Sequence, residues 1–282
     1  MHLSFKTRQQ HTDLASILDI WIAADEMPSI QGGWLFDHFY PIFSDPTGPC
    51  FEGWTLLSAI AARTSRLRLG VMVSSNTHRH PAVLTKMIST VDAVSEGRLE
   101  IGLGAGWSEL EHRSYGIEFP GIAERLDRLE EACVVIDGLL TQESFSFDGT
   151  HYELHDARCE PGPVQRPRPP LLIGGRGERR TLRIVARHAD RWNYPSGPVD
   201  DFRRKVDVLR QRCAEIGRDP AEIEITVQVD ARAEPITVAS RALQYAEAGA
   251  EHVILNLEPP YDAHELSVVV DATEAALGIG VD

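Results

Sequence analysis

Apolar and polar residues alternate along this chain with two distinct periods. Short runs rich in valine, isoleucine and leucine predict strands, and the longer segments between them place apolar residues at helical spacing. The predicted strands are residues 3–6, 33–36, 67–73, 99–103, 170–173, 189–193, 223–229 and 252–257. The predicted helices are residues 13–25, 52–64, 81–95, 121–140, 178–187, 199–216, 237–247 and 263–276. This alternation is typical of α/β proteins with a parallel sheet.

The number of repeated units predicts the architecture. Eight strand-then-helix units that end on a helix predict a (β/α)₈ TIM barrel, and 282 residues is near the usual size of that fold. The whole chain, residues 1–282, is therefore predicted to form one domain. An open, doubly wound sheet has the same periodicity and stays as the alternative.

Two segments interrupt the regular alternation. Residues 104–120 follow the fourth predicted strand and mix glycine with tryptophan, histidine and tyrosine. Residues 145–169 precede the fifth strand, with a hairpin predicted around Asp148 and Gly149 and then a proline-rich run. A barrel carries its chemistry on the loops after its strands, so the first insertion is predicted to contribute to a site.

The charge and cysteine content of the chain argue against several kinds of binding partner. Lys and Arg total 28 against 42 Asp and Glu, giving a net charge of −14, which disfavours nucleic acid and anionic membranes. Four scattered cysteines show neither zinc-ligand spacing nor a disulfide pattern. The first ten residues lack the apolar run of a secretory signal, and no later stretch is apolar enough to span a membrane. We therefore expect a cytoplasmic protein.

The second predicted strand is followed by Asp37 and His38. A carboxylate next to an imidazole at the catalytic face of a barrel can orient a proton donor or hold the polar edge of a ring. Spacing alone leaves a simpler interpretation open, in which Asp37 caps a loop and His38 is exposed.

Short polar side chains follow the third predicted strand. Ser74, Ser75 and Asn76 offer hydrogen-bonding groups at the strand end. His78 and His80 have the spacing of a metal-binding pair, but the first and last strands provide no accompanying carboxylate. We therefore predict no metal.

Glycine-rich segments follow the fourth and fifth predicted strands. Gly104, Ala105, Gly106 and Trp107 would let a flat ring approach the backbone beside an indole wall, although tight turns use the same pattern. Gly174, Gly175, Arg176 and Gly177 precede a predicted helix, and free N–H groups with nearby guanidinium groups suit a phosphate. An ordinary glycine-rich turn also explains this second segment.

Three motifs, taken in order, resemble the luciferase-like monooxygenase family, specifically its actinobacterial branch that uses the deazaflavin coenzyme F420. They are DHF at 37–39, the stretch from Asn76 to Gly116, and LLIGGRGERRTLRIVARHADRWN at 171–193. The resemblance covers about residues 33 to 220. Each motif is weak alone, and their order on successive barrel units makes the set specific.

The resemblance implies an F420 ring, or an FMN ring as the alternative, in the mouth of the barrel. It implies a non-prolyl cis peptide near Met72 and Val73 against the back of the ring. The implied cofactor-binding residues are Asp37, Met72, Val73, Ser74, Asn76, Gly104, Ala105, Gly106, Trp107, Gly174, Gly175, Arg176 and Gly177. Candidates at the rim for the polyglutamate tail of F420 are Arg79, Arg113, Arg176 and Arg179. A homodimer is the family expectation.

The expected reaction is hydride transfer between C5 of the deazaflavin and a small unsaturated or carbonyl-like organic substrate. His38 is the expected proton donor or acceptor, and Glu109 is the second catalytic candidate. Sugar-phosphate oxidation is not expected, because Trp107 stands where those relatives have a carboxylate. The alternatives are an FMN-dependent monooxygenase, a non-catalytic flavin-binding protein and a metal-dependent hydrolase.

Overall fold

A ring of parallel strands forms the centre of the molecule. The computed structural model describes residues 1–279; the last three residues of the predicted domain lie outside that range. The strands are β1 His2–Lys6, β2 Ile30–Leu35, β3 Arg68–Val71, β4 Ser74–Ser75, β5 Leu99–Gly104, β6 Phe145–Asp148, β7 Glu153–Ala157, β8 Leu171–Gly174, β9 Arg191–Tyr194, β10 Glu224–Asp230 and β11 His252–Asn256.

The strand order closes the barrel. Strand β1 pairs with β2 on one side and β11 on the other, and the order continues β3, β5, β8, β9, β10 back to β11, all parallel. The eight predicted strands correspond to these eight. The predicted TIM barrel is thus confirmed, and the open sheet is wrong because β3 pairs with β5 and leaves no edge.

Helices cover the outside of the ring. They are α1 Leu14–Asp25, α2 Gly53–Ala61, α3 Pro81–Val94, α4 Glu109–Tyr115, α5 Ile122–Thr141, α6 Thr181–His188, α7 Val199–Glu215, α8 Pro235–Glu247 and α9 Ala263–Leu277. All eight predicted helices are present. Helix α4 was not predicted; it is short, its N-terminal Ser108 makes no side-chain cap, and Gly116 ends it with a φ of 67°. None of the helices within residues 1–279 is long and apolar enough to cross a membrane.

Two insertions take the predicted positions. The first contains α4. The second is the hairpin β6–β7, whose antiparallel strands pair Asp148 with Glu153, and the predicted turn at Asp148 and Gly149 is confirmed. The third predicted strand ends at Val71, earlier than expected, and the chain resumes as β4 after a cis peptide bond between Met72 and Val73.

Packing differs between the two sides of the barrel wall. Outside, strand and helix side chains form one large core; Trp21 of α1 packs against Phe5 with ring centroids 4.9 Å apart, and a Cβ at Gly33 would meet that indole at 2.6 Å. Inside the ring, a separate apolar cluster consists of Trp34, Met72, Leu172 and Ile254. Side chains beyond this cluster, at the carboxyl ends of the strands, are left to line a cavity.

Candidate active site

A cavity of about 540 Å³ opens at the carboxyl ends of the barrel strands. A cavity of this size holds a flat heteroaromatic ring and part of a substrate. The structure brings most of the predicted site residues to this cavity. They are Asp37, His38, Met72, Val73, Gly104, Ala105, Gly106, Trp107, Gly174 and Gly175.

Ser74 and Asn76 do not line the cavity. The Ser74 hydroxyl accepts a hydrogen bond from the Trp54 indole at 3.0 Å, and the Asn76 amide donates to the Tyr152 hydroxyl at 3.2 Å. The side chain that lines the cavity is Ser75, which lies between them. Alternate residues of an extended segment point to opposite sides, so Ser75 faces the cavity and its two neighbours, Ser74 and Asn76, face away from it.

The carboxylate next to His38 is Glu111. His38 Nδ1 lies 2.8 Å from Glu111 Oε2, and the backbone N–H of Phe39 donates to Glu111 Oε1 at 2.6 Å. Glu109, the predicted second catalytic residue, begins α4, is exposed and does not line the cavity. Two residues along a helix rotate a side chain by more than half a turn, so Glu109 faces solvent when Glu111 faces His38.

Glu111 is ionised in this arrangement. Burial alone would raise the pKa of its carboxyl, but the hydrogen bond and charge of His38, together with the Phe39 N–H, hold that pKa below its ordinary value. An ionised carboxylate only accepts hydrogen bonds, so Nδ1 of His38 carries the hydrogen. Nε2 of His38 then has no hydrogen-bond partner within residues 1–279 and is free for proton exchange in the cavity.

Asp37 is 1% exposed and is committed to a buried ion pair. Its two oxygens accept from Arg79, with Nη1 to Oδ2 at 2.6 Å and Nη2 to Oδ1 at 3.0 Å, and the Ser75 N–H donates to Oδ2 at 3.0 Å. Burial opposes ionisation, but neighbouring His78 and Arg79 hold the pKa of Asp37 below its ordinary value. Asp37 therefore fixes the loop that carries Ser75, and Arg79, predicted at the rim, is held inward by Asp37 and Glu52.

The imidazole ring of His78 is buried at the cavity and makes no hydrogen bond within residues 1–279. Its ring stacks on Phe39 with centroids 4.5 Å apart, and its Nδ1 lies 3.6 Å from Asp37 Oδ2, beyond hydrogen-bond distance. The sequence showed His78 only as half of a metal-like pair with His80. In the structure His80 instead caps α3 by accepting from the Ala82 N–H, so the two imidazoles have different roles.

One wall of the cavity is built from glycines around Val73. A Cβ at Gly104 would meet Val73 Cγ2 at 2.5 Å, and a Cβ at Gly174 would meet Val73 Cγ1 at 2.9 Å. The glycines of β5 and β8 thus give the Val73 side chain its space beside the cis peptide. We call Val73, Gly104 and Gly174 the glycine wall.

A second cavity of about 390 Å³ adjoins the first and shares Leu126 and Thr181 with it. Its lining contains Arg176, Gly177 and Arg179, so the predicted anion segment faces this cavity. Within residues 1–279, Arg176 makes no ion pair and donates only to the Ser196 carbonyl, at 3.2 Å. The side chain of Arg179 has neither a hydrogen bond nor an ion pair there.

Other charges of the second cavity are already matched. Glu178 binds Lys205 at 2.6 Å and also contacts Arg204, and Arg180 pairs with Asp127. Arg113, the remaining predicted rim residue, is exposed on α4 and lines neither cavity. The excess positive charge at this end of α6 therefore comes from Arg176 and Arg179.

The wall opposite the glycine wall is polar and was missed in the sequence. It is formed by Lys6, Asn193, Gln228 and Asn256, at the ends of β1, β9, β10 and β11, and we call it the polar wall. Burial and then the charge of Arg8 lower the pKa of Lys6 to about 7. The sequence did carry a signal, because Ser4 and Lys6 alternate with apolar Leu3 and Phe5.

Aromatic side chains surround the mouth of the main cavity. The ring of Phe43, which is 80% exposed, stacks on Trp107 with centroids 5.5 Å apart. Trp107 and His38 also form an edge-to-face pair with ring centroids 5.3 Å apart. These rings would shield an occupant near His38 from water.

A separate cluster lies at the amino ends of the strands. His2 Nδ1 is 2.7 Å and His252 Nδ1 is 3.3 Å from Glu224 Oε1, and the three side chains form a group that could hold a metal ion. The other Glu224 oxygen binds Arg191 at 2.6 Å, so this carboxylate already has a cationic partner. That cluster is remote from the cavity, and the absence of a metal from the function stays a prediction.

The chain is similar to known proteins in sequence and in fold. A model of the family described as luciferase-like monooxygenase matches residues 3–276. The chain is 30% identical over 233 residues to an F420-dependent glucose-6-phosphate dehydrogenase from Kineococcus radiotolerans, covering 81% of this chain and 67% of that protein.

Two solved structures are similar in fold. One is an F420-dependent secondary alcohol dehydrogenase in complex with an F420–acetone adduct, with a TM-score of 0.86, 16% identity and 98% of each chain covered. The other is the oxygenating constituent of 3,6-diketocamphane monooxygenase from Pseudomonas putida in complex with FMN. Its TM-score is 0.77, with 17% identity over 100% of this chain and 99% of that chain.

Proposed function

Because this chain belongs to the luciferase-like monooxygenase family and is an oxidoreductase of that family, we propose that it transfers hydride between coenzyme F420 and a small carbonyl-like or unsaturated organic substrate. Its cofactor is a deazaflavin or a flavin. The observation that carries the proposal is the pair of adjoining cavities, with the His38–Glu111 pair in the first and unpaired arginines in the second.

The residues present fit such a cofactor. A Cβ at Gly106, where φ is 76°, would meet Ser75 Oγ and Thr77 Oγ1 at 2.6 Å, so the backbone there stays bare beside the cavity. On the glycine wall only the Val73 side chain covers Gly104 and Gly174, which leaves room for one face of a ring. When bound, a deazaflavin supplies a hydride-accepting and hydride-donating carbon.

The protein supplies placement and a proton path. Glu111 fixes the ring of His38 through Nδ1, leaving Nε2 to give a proton to a substrate oxygen or carbon, or to take one from a substrate alcohol. Trp107 and Phe43 exclude water from this position. Thus the dyad holds or moves the proton that accompanies hydride transfer.

The second cavity favours F420 over FMN. FMN ends at its phosphate, whereas F420 continues into an anionic tail. Arg176 and Arg179, both without a carboxylate partner within residues 1–279, place two positive charges in a cavity of about 390 Å³ that continues from the ring cavity. In a protein of net charge −14, this local excess supports an extended anionic ligand.

Replacing Arg179 with serine is expected to weaken F420 binding about tenfold, because one charge-assisted contact to the anionic part is lost. Equilibrium binding followed by F420 fluorescence measures this. Arg210→Ser on α7, which removes an exposed arginine paired with Asp207, is the control and should leave affinity unchanged. Equal effects of the two changes would place the tail elsewhere. Gly175 is less suitable for this test, since its φ of 132° makes any side chain strained.

The reaction class is tested with reduced cofactor under argon and in air. Reduced F420 is mixed with the protein and a panel of ketones, aldehydes and activated alkenes, and cofactor oxidation is followed by absorbance. We expect substrate-dependent oxidation without dioxygen. Activity that requires both FMN and dioxygen would favour the monooxygenase alternative, and tight binding without turnover on any compound would favour a non-catalytic flavin-binding protein.

The domain organisation, cellular location and oligomeric state also belong to the proposed function. We propose one domain over residues 1–282, a cytoplasmic location and a homodimer. Sedimentation velocity on the purified protein tests the oligomeric state, with a mass near twice that of the chain as the expected result.

A further inference from the structure

Lys6 places an amine in the cavity without an anionic partner. Its ammonium Nζ has one hydrogen bond, to Gln228 Oε1 at 3.4 Å, and no carboxylate lies within 4.0 Å of it in residues 1–279. Arg8, which lines the same cavity, pairs with Glu258 at 2.5 Å, and the nearby Arg79 pairs with Asp37 at 2.6 Å. An unmatched charge in a cavity is costly unless a ligand compensates it.

The rest of the polar wall holds Gln228 in place and leaves two N–H donors of Lys6 unused. Gln228 Nε2 donates to Asn193 Oδ1 at 2.7 Å, and Asn193 Nδ2 donates to Thr226 Oγ1 at 2.9 Å, which fixes Gln228 Oε1 towards Lys6. An ammonium group has three N–H donors and Lys6 uses one. The amide oxygen of Asn256 has no donor within the described residues, and as an acceptor it would take an N–H or O–H group of an occupant, leaving Lys6 as the group for an anion.

The topology separates this wall from the glycine wall. Val73, Gly104 and Gly174 follow or end β3, β5 and β8, whereas the polar wall stands on β9, β10, β11 and β1, the other half of the closed ring. A ring that lies on the glycine wall would therefore present its other face to Lys6. The substrate would lie between them.

We propose that Lys6 binds the carboxylate of the organic substrate, so that the enzyme acts on small organic acids that carry a carbonyl or activated double bond. The inference rests on the proposed function for its substrate role. A monoanionic carboxylate suits one ammonium group, and Asp230, which lines the same cavity beyond Gln228, would disfavour a phosphate dianion.

The groups around Lys6 define its charge state. They are Arg8 beyond β1, Asp230 at the end of β10 and Glu258 beyond β11; Trp34 on β2 and Asn256 on β11 are uncharged neighbours in register with Lys6. Burial and Arg8 lower the pKa of Lys6 to about 7. A bound carboxylate would raise that pKa again and draw a proton onto the amine.

Calorimetry with benzoate and its neutral counterpart benzamide tests the site, with and without F420. At pH 6 we expect benzoate to bind the wild-type protein at least about tenfold more tightly than benzamide. Lys6→Met should abolish this preference. Lys86→Met, which removes an exposed lysine on α3, should retain it. An equal affinity for the two compounds in the wild-type protein would overturn the proposal.

The pH dependence of benzoate binding tests whether the charge of residue 6 is what matters. Raising the pH from 6 to 9 removes the proton from Lys6, so the benzoate affinity of the wild-type protein should fall about tenfold or more. Lys6→Arg keeps its charge over this range and should hold its affinity constant. A wild-type affinity that does not change with pH would contradict the role of Lys6.

The outcome of this test is independent of the cofactor assignment. If F420 binds but benzoate shows no dependence on Lys6, the carboxylate site is wrong and the proposed function stands. If benzoate binding depends on Lys6 but F420 does not bind, the site stands and the proposed function is wrong.

Discussion

Replacing Arg79 with methionine is expected to lower the free energy of unfolding by about 3–5 kcal/mol, because it leaves the buried Asp37 carboxylate without its cationic partner. Asp37 is 1% exposed and accepts two hydrogen bonds from Arg79. The Ser75 N–H and the His78 ring, 3.6 Å away, remain beside Asp37 but do not replace the two hydrogen bonds and the full charge of Arg79. Urea unfolding followed by circular dichroism measures the change.

Two comparisons make this prediction specific. Arg128→Met removes a more exposed arginine that pairs with Glu118 and Glu124, and should cost about 1 kcal/mol or less. The double variant Asp37→Leu, Arg79→Met should recover much of the stability lost in Arg79→Met, since no charge is then buried alone. If Arg79→Met costs no more than Arg128→Met, the buried pair does not hold this loop.

The same pair predicts a pH dependence with a definite sign. The pKa of Asp37 is lower in the folded protein than its ordinary value, so its ionised form stabilises the fold above the unfolded-state pKa. This contribution should disappear as the pH falls below about 4, the ordinary range of an aspartate. The double variant should lack this part of the acid sensitivity.

Replacing His38 with alanine is expected to reduce turnover about 10²–10⁴-fold while F420 still binds, because the proton that accompanies hydride transfer loses its carrier. Nδ1 of His38 is held by Glu111 at 2.8 Å, and Nε2 is left for the substrate. Stopped-flow oxidation of reduced F420 with the most active compound of the panel measures the step directly, and fluorescence titration measures binding separately.

Glu111→Gln tests the positioning role of the carboxylate. It should lower turnover more than cofactor affinity, because the neutral amide no longer holds the His38 ring through a charge-assisted hydrogen bond to Nδ1. His155→Ala, in the exposed hairpin strand β7, is the histidine control and should behave as wild type. Full activity of His38→Ala would remove His38 from the mechanism.

The sequence predicted the barrel and its loops well because periodicity is local. Asp37, His38 and the two glycine segments were located by a simple rule, that residues directly after a barrel strand lie at its catalytic face. The glycines were assigned to a cofactor, and the structure adds a packing reason: Gly104 and Gly174 provide room for Val73.

The features that the sequence did not predict depend on the direction in which a side chain points and on which distant strands the closed barrel brings together. Of the three polar residues after the third strand, the resemblance implied Ser74 and Asn76 for the cofactor, whereas Ser75 lines the cavity, because the irregular backbone there hides which side each residue faces. The choice of Glu109 over Glu111 followed from not predicting α4, whose seven residues carry little periodic signal.

The polar wall depends on contacts between residues that are far apart in the sequence. Lys6 and Asn256 are about 250 residues apart and become neighbours only when β1 pairs with β11. The alternation of Ser4 and Lys6 with Leu3 and Phe5 was visible, but no local pattern shows which distant strands share the cavity. A polar residue at an inward-facing position near the carboxyl end of a barrel strand is therefore a candidate for lining the active-site cavity, even when its neighbours in sequence form no motif.

The most direct test of the central claim is equilibrium titration of the purified, cofactor-free protein with F420 and, separately, with FMN, followed by the fluorescence of each. The account predicts micromolar or tighter binding of F420 and markedly weaker binding of FMN, because only F420 extends an anionic tail past the phosphate towards Arg176 and Arg179. Tighter binding of FMN, or no binding of either compound, would contradict it.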